Sequence, residues 1–357
     1  MHLEELRLVD LRRFERLDLP LDPGWNQFVG GNGAGKTTVL EAAYLLSHGR
    51  TFRSGGRDGL VRQGAAGFSV FGVTVQRDGR SSRVGLARTA GRLEARLDGS
   101  ATTLGDLVEH AAVVCFEPGS HALIAGGAEY RRAYLDWGVF HVEHMFLAQW
   151  RRYQRALRQR NASLRLGARD DELAAWEQEM AASGAAITQL RGVYLDRLRP
   201  HLEVVAAAFL GELGQVSLDF HAGWAADLSL ADSLAAGRLR DRERGHTRGG
   251  PHRADLALRF ERAERREYFS RGQEKLCALV CILAQARLFH AQAGHWPIIC
   301  LDDLASELDV AHQQAVLGFL AGTDAQILLT GTAALAVPAG RAAAMFHVEQ
   351  GRVERLL

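Results

Sequence analysis

The stretch GGNGAGKT at residues 30–37 constrains this chain more than any other. Gly30, four intervening residues, Gly35, Lys36 and Thr37 fit the phosphate-loop spacing. Trp25 to Val29 reads as a short buried strand before it. Thr38 to His48, apolar and alanine-rich, reads as a buried helix that stops at Gly49. The chemistry explains the spacing. Gly30, Gly31, Gly33 and Gly35 lack a Cβ, so their backbone can turn N–H groups inward and approach an anion closely. The helix N-terminus adds partial positive charge. Lys36 can reach outer phosphates, and the Thr37 hydroxyl can ligate Mg²⁺. Asn32, Ala34 and Thr38 complete the candidate nucleotide contacts.

A phosphate loop needs an acid at the end of a neighbouring buried strand. Pro297 to Leu301 followed by Asp302 and Asp303 supplies it. Asp302 is the expected Mg²⁺ partner of Thr37, and Asp303 the candidate base that orients attacking water. About 265 residues lie between Lys36 and Asp302, counted from their numbers. The spacing is wider than in many phosphate-loop folds, and it points to a nucleotide fold split by an insertion.

The texture of the chain changes along its length. Residues 3–21 alternate as two strands joined by Arg12-Arg13-Phe14; those arginines either face a nucleotide or form a solvated turn. A glycine-rich basic loop follows at 48–56, and the basic run from Arg50 to Arg57 is expected to contact DNA backbone phosphates. Short β-like runs then fill 68–98, with Asp78-Gly79 and Asp98-Gly99 as turns, and predict an antiparallel sheet beside the phosphate-loop sheet. Ala112 to Phe116 reads as another buried strand. From 128 to 210 alanine, leucine, glutamine and arginine dominate, and Gly167, Gly192 and Pro200 suggest three or four helices. No sustained heptad repeat supports a long coiled coil. Arg151, Arg152, Arg155, Arg158, Arg160, Arg165 and Arg169 form one basic stretch with no acid until Asp170. Either it is a solvated helix face or it contacts backbone phosphates, with Arg151, Arg152, Arg155 and Arg158 the candidates for DNA. A charged, glycine-bounded stretch spans 237–250. Strands return at 254–260, 298–301, 327–330 and in a closing hairpin, 345–349 and 352–356. The apolar helix 276–289 must be buried on most sides.

Composition adds limits. The 357 residues carry 43 basic and 42 acidic side chains, so any nucleic-acid surface must be a local patch. Cys115, Cys277, Cys281 and Cys300 all lie in apolar runs and none in a Cys-x-x-Cys pair, which predicts reduced core thiols in an intracellular protein. No apolar run near 18 residues and no signal peptide is read, so a soluble, cytoplasmic protein with no membrane partner is expected.

Ser270-Arg271-Gly272-Gln273 opens the apolar helix and makes a second anion-binding end. With the phosphate loop already present, it has a use if it closes on the outermost phosphate of another subunit's nucleotide. Two chains, head to tail, would sandwich two ATP molecules. Ser306-Glu307-Leu308-Asp309, just after the acidic pair, strengthens the motif.

Together these motifs resemble the ABC-type ATPases of the SMC group, and within it the RecF family of bacterial DNA replication and repair proteins. The resemblance covers essentially the whole chain. It rests on GGNGAGKTTVLEA at 30, SHGRTFRSG at 47, FEPGSHALIAGGAEYRRAYLDWGVFH at 116, QRNASL at 159, GPHRADL at 250, SRGQEK at 270 and LDDLASELD at 301. It implies an α/β fold: a phosphate-loop ATPase lobe I with a mixed core sheet and an antiparallel β subdomain, plus a short helical arm, lobe II. Lobe I would comprise 1–117 and 248–357, and lobe II 118–247. It implies ATP and Mg²⁺ as cofactors, an ATP-driven homodimer, Ser270, Gly272 and Gln273 acting in trans, and Ser306, Glu307 and Asp309 in a dimer-interface loop. It implies binding to single-stranded DNA and single/double-strand junctions, and work with RecO and RecR in loading RecA during gap repair, replication and the SOS response.

Several departures stand out. Asp303 replaces the glutamate common in the wider group, which sets the carboxylate one methylene back and predicts slow hydrolysis, a weak DNA-stimulated ATPase acting as a switch. Phe116-Glu117-Pro118 stands where that group has a glutamine, and Gln63 lies far upstream. Thr330-Gly331-Thr332 occupies the usual histidine position, where Thr330 or Thr332 could sense the γ-phosphate. The alternative, an ATPase subunit of a membrane transporter, has the same nucleotide chemistry but no use for the arginine-rich arm.

Overall fold

The computed structural model describes residues 1–53, 56, 58–337 and 343–357. Ser54, Gly55 and Arg57 of the basic loop expected to touch DNA lie outside the described residues. The chain runs β1 (His2–Leu11), β2 (Phe14–Pro20), β3 (Trp25–Val29), α1 (Lys36–His48), β4 (Gly67–Val75), β5 (Ser81–Thr89), β6 (Arg92–Leu97), β7 (Ser100–Thr102), α2 (Leu104–Glu109) and β8 (Val113–Phe116). Five helices follow: α3 (Ala122–Ala125), α4 (Ala128–Val142), α5 (Phe146–Arg165), α6 (Asp170–Leu210) and, after β9 (Val216–His221), α7 (Leu230–Arg244). The remainder is β10 (Asp255–Phe260), α8 (Arg271–Ala293), β11 (Ile298–Leu301), α9 (Leu304–Glu307), α10 (Val310–Ala321), β12 (Ile327–Gly331), β13 (Ala343–Glu349) and β14 (Arg352–Arg355). Two compact units result, residues 1–121 with 271–357, and residues 122–270.

The first unit holds two six-stranded sheets. One is antiparallel, in the order β2-β1-β4-β5-β6-β7, as the alternation at 3–21 and 68–98 predicts. Leu3, Leu6, Leu8 and Leu11 of β1 all point into one core. The other has the order β14-β13-β3-β12-β11-β8, in which β3 pairs in parallel with both β12 and β13. Strands buried on both faces read as continuous apolar runs, and Ile298–Leu301 and Ile327–Gly331 are buried throughout. The Gln326 amide ties the two sheets: its Oε1 accepts the Leu3 N–H at 2.8 Å and its Nε2 donates to Leu3 O at 2.7 Å.

Helix α8 is buried on most sides, as its apolar sequence predicts. It contains an 18-residue window of mean hydropathy 1.4, long and apolar enough by composition to cross a membrane. Yet 72% of that window is buried inside the structure, so it is a core helix. Its two cysteines are free and buried, and burial pushes the Cys281 thiol up to about 12.

The second unit is a helical assembly with one two-stranded sheet. Strand β10 pairs with β9 along its length, so 248–270, expected with the C-terminal part of lobe I, falls in this unit. Three helices fill 128–210, and Gly167 ends the second with φ near +70°. Gly192 and Pro200 do not break the third: α6 runs 41 residues through both. A proline inside a helix costs on the order of 3 kcal/mol through its missing N–H. Leu195, Leu198, Leu202 and Val205 are buried on either side of it and outweigh that cost. At Gly184 a Cβ would lie 2.4 Å from the Leu230 side chain and 3.2 Å from Tyr153, so only glycine lets those groups close on α6.

Candidate functional site

The phosphate loop sits between β3 and α1, as the spacing predicts. Gly33 and Gly35 have φ of 77° and 122°, values that L side chains rarely adopt. A Cβ on Gly30 would lie 2.1 Å from Val348 O, so β13 leaves room only for hydrogen there. Gly35 provides the N-cap of α1 without a side chain, leaving the helix N–H groups facing the loop. Lys36 is 7% exposed, and its Nζ donates to Gly30 O at 2.7 Å and Gly31 O at 2.9 Å. The ammonium therefore already sits inside the loop that would cradle phosphates.

Strand β11 brings Asp302 to the same place. The Thr37 hydroxyl lies 2.9 and 3.0 Å from its two carboxylate oxygens. The Thr330 hydroxyl donates to Asp302 Oδ1 at 2.6 Å and accepts the Asp303 N–H at 2.9 Å. Asp302 is buried and has no ion pair among the described residues. Burial raises its carboxyl above the usual value, opposed by hydrogen bonds from Thr330 and Thr37. A desolvated carboxylate beside a hydroxyl, with oxygen donors only, fits a hard dication such as Mg²⁺. Asp303 is the N-cap of α9 with φ near +53°, a left-handed conformation that non-glycine residues adopt rarely. That turn swings its side chain away from the strand and toward the cavity.

A cavity of about 470 Å³ joins these groups. Asn32, Gly33, Gly35, Lys36, Thr37, Thr38, Asp302 and Asp303 all line it. Arg12, Arg13, Arg53, Gln63 and Thr330 line it too. Arg12 is not free to reach a ligand. Its guanidinium is bidentate to the fully buried Glu41 of α1 at 2.7 and 2.9 Å, and donates to Gly59 O. Glu41 also accepts the Thr51 hydroxyl. Arg13 stands closer to the loop, its guanidinium 3.8 Å from where a Gly33 Cβ would be. Of the two threonines considered for the histidine position, Thr330 lines the cavity with its hydroxyl committed to the acidic pair, whereas Thr332 is exposed and outside the lining.

Gly272 and Gln273 belong to the first turn of α8, and exposed Ser270 immediately precedes it. None of the three lines the cavity. After the acidic pair, the Ser306 hydroxyl donates to Asp303 O at 3.0 Å, and Glu307 pairs with Lys275 at 2.8 Å. Exposed Asp309 caps α10, accepting the His312 N–H at 2.9 Å. That hydrogen bond leads in holding the Asp309 carboxyl below its usual value. Glu117, one residue beyond β8, is a further acid near Asp302 that motif spacing alone does not assign. Burial raises its carboxyl to about 7, against the Gly119 N–H that it accepts at 2.5 Å.

The arginine stretch does not form one face. Arg160 is fully buried and bonds Glu177, Asp241 and the Thr247 hydroxyl at 2.7–3.1 Å. Arg152 pairs with Glu179 from α6, and Arg169 with Asp171. Arg151, Arg155 and Arg158 are exposed.

The family model for the RecF/RecN/SMC N-terminal domain matches residues 2–354. The chain is 48% identical to the DNA replication and repair protein RecF of Xanthomonas euvesicatoria, over 99% of both chains. It is 46% identical to that of Stenotrophomonas maltophilia and 38% to that of Erwinia tasmaniensis, again over nearly all of each.

The chain belongs to the RecF family.

A solved structure of the recombination mediator RecF with ATP shares the fold at TM-score 0.90, 24% identity and 98% coverage of that chain. An Smc head bound to the C-terminal winged-helix domain of ScpA shares it more distantly, at TM-score 0.61 and 14% identity. The RecF fold thus carries the two-sheet ATPase unit described above. The transporter reading has no support in these relatives.

Proposed function

We propose that this RecF-family chain is an ATP-gated DNA-binding protein of recombinational gap repair, replication and the SOS response. The convergence of Thr37 and Thr330 on buried Asp302, beside the phosphate loop, is the observation that carries the nucleotide half of this reading. Gly30 to Thr38 would hold the phosphates, with Lys36 exchanging its loop carbonyls for phosphate oxygens. Thr37 and Asp302 would hold Mg²⁺, which when bound neutralises phosphate charge. Asp303 would orient and accept a proton from water. Its short side chain, the Asp in place of Glu, supports slow turnover, so that ATP serves as a switch.

The exposed start of α8, with Ser270, Gly272 and Gln273 outside the chain's own cavity, supports their action on a second copy's nucleotide. Ser306, Glu307 and Asp309 would line the same dimer contact. Residues 122–270 would form the helical arm, lobe II. Arg151, Arg152, Arg155 and Arg158 would meet DNA phosphates, with single strands and junctions as targets, and with RecO and RecR as partners in loading RecA in the cytoplasm. A salt bridge to Glu179 already engages Arg152, which would have to exchange it for a DNA phosphate. Sedimentation with no nucleotide, ATP or a non-hydrolysable analogue, each with and without gapped DNA, tests the reading. The parent chain should dimerise with ATP, and Lys36→Met should not. ATP-driven dimers of Lys36→Met would overturn it.

A further inference from the structure

The second unit contains a cleft of about 330 Å³ that the nucleotide site does not use. It lies in the charged, glycine-bounded segment 237–250 and the loop before α7. One wall is the Trp224 ring, pinned by its indole N–H to Leu228 O at 3.1 Å. The floor is backbone, because Gly223, Gly237 and Gly249 line it without side chains. Gly223, with φ near +103°, packs so tightly that a Cβ would lie 2.1 Å from Gly250 O, so this floor is fixed.

Charge at the cleft is one-sided. Arg240 and Arg248 both line it and both are exposed. Neither guanidinium has an ion pair or hydrogen bond among the described residues. Asp241 is the one carboxylate in the lining, and it is buried and already occupied. It accepts Arg160 at 2.7 Å and the Arg248 N–H at 3.1 Å. No ring of the described residues stacks on Trp224. The cleft thus offers a fixed aromatic face, an approachable backbone floor and two uncompensated cations. A flat base joined to a phosphate satisfies all three, since every base has a π-face and stacking is tolerant of sequence.

We propose that this cleft takes one unpaired nucleotide of a DNA strand, with its base on Trp224 and its phosphate between Arg240 and Arg248. The proposal rests on the DNA-binding reading above and adds a reason for it to prefer single-stranded segments. A paired base is stacked on both sides and cannot enter, whereas a nucleotide in a gap can. It also supplies an aromatic contact that the arginines of α5 lack.

The test uses the full-length chain with ATP and three labelled DNAs of equal length: single-stranded dT, gapped and fully paired. Trp224→Ala should weaken single-strand and gapped binding about tenfold. It should leave duplex binding and ATP-driven dimerisation unchanged. Trp224→Phe, which keeps a ring, should restore most of the loss. Arg240→Gln and Arg248→Gln should each reduce the salt slope of single-strand binding by about 1. A 5-iodouracil dT strand should photocrosslink to the peptide containing Trp224. Unchanged single-strand affinity in Trp224→Ala, with crosslinks elsewhere, overturns the cleft but leaves DNA binding intact. Full competition by free dTMP at the strand's own concentration also overturns it, in favour of a mononucleotide site. A parent chain that binds none of the three DNAs overturns the DNA-binding reading itself, and the cleft proposal with it.

Discussion

The Thr330 hydroxyl donates to Asp302 and accepts from the backbone N–H of Asp303, so one side chain on β12 fixes both members of the acidic pair. The hydrogen bond that it donates replaces one that the carboxylate would otherwise accept from water. This sets Asp302 for a cation and holds Asp303 in its left-handed turn.

Thr330→Val removes that donor and acceptor while keeping the shape. A buried carboxylate that loses one hydrogen bond costs about 1–3 kcal/mol. Mg-ATP affinity should fall by about tenfold or more, measured by titration with a fluorescent ATP analogue, while denaturant unfolding retains a single transition. Unchanged affinity would show that Thr330 does not position the acid.

Asp303→Asn tests the base. Asparagine tolerates the left-handed conformation at this N-cap, so the turn should survive. Turnover should drop by at least about 100-fold, within the usual range for a general base. Dimers formed with ATP should then outlast those of the parent in a chase experiment. Equal turnover in the variant would remove Asp303 from the chemistry.

Glu117 predicts a pH dependence of stability. Its folded carboxyl titrates near 7, above the usual 4.5. A raised carboxyl binds its proton more tightly when folded, so its contribution is fullest below pH 4.5 and is lost as pH rises toward 7. Glu117→Gln should flatten the parent's decline in stability over that window, by on the order of 2 kcal/mol. Chemical denaturation at pH 5 and pH 7.5 measures it; parallel curves for parent and variant would refute the assignment.

The arginines of α5 should separate into two kinds. Arg160→Met leaves buried Asp241 without its cation, while Glu177 keeps Arg238, and should cost about 3–5 kcal/mol of stability. Arg155→Gln is exposed and should change stability by less than about 0.5 kcal/mol. It should instead lower the salt slope of DNA binding by about 1. Thermal unfolding and a salt titration distinguish them.

Local chemistry explains what the sequence reveals. Glycines at 30, 33 and 35 and an acid after an apolar strand carry their structure in their own spacing. The same holds for the alternation in β1 and for Gly49, which caps α1 in the left-handed region. The partners of charged side chains are different, because they are set by packing between distant segments. Arg160 and Arg155 look alike in sequence, yet α6 and α7 bury one and leave the other in solvent. Pro200 has the same lesson: buried leucines around it decide the helix, and they are seen only once α6 is packed. Glu117 stands out in the sequence as a departure from the family pattern, but its neighbours Asp302 and Glu307 come from a segment nearly 200 positions away.

The central placement of β3 carries a last consequence. The strand that leads into the phosphate loop is flanked by β12 and β13, both made some three hundred positions later. During synthesis the loop therefore emerges early but has no neighbours on either side. A polypeptide released before β13 would leave one edge of β3 unpaired, and Gly30 without the Val348 carbonyl that packs against it. Prematurely terminated translation products should therefore hold ATP less tightly than finished chains do.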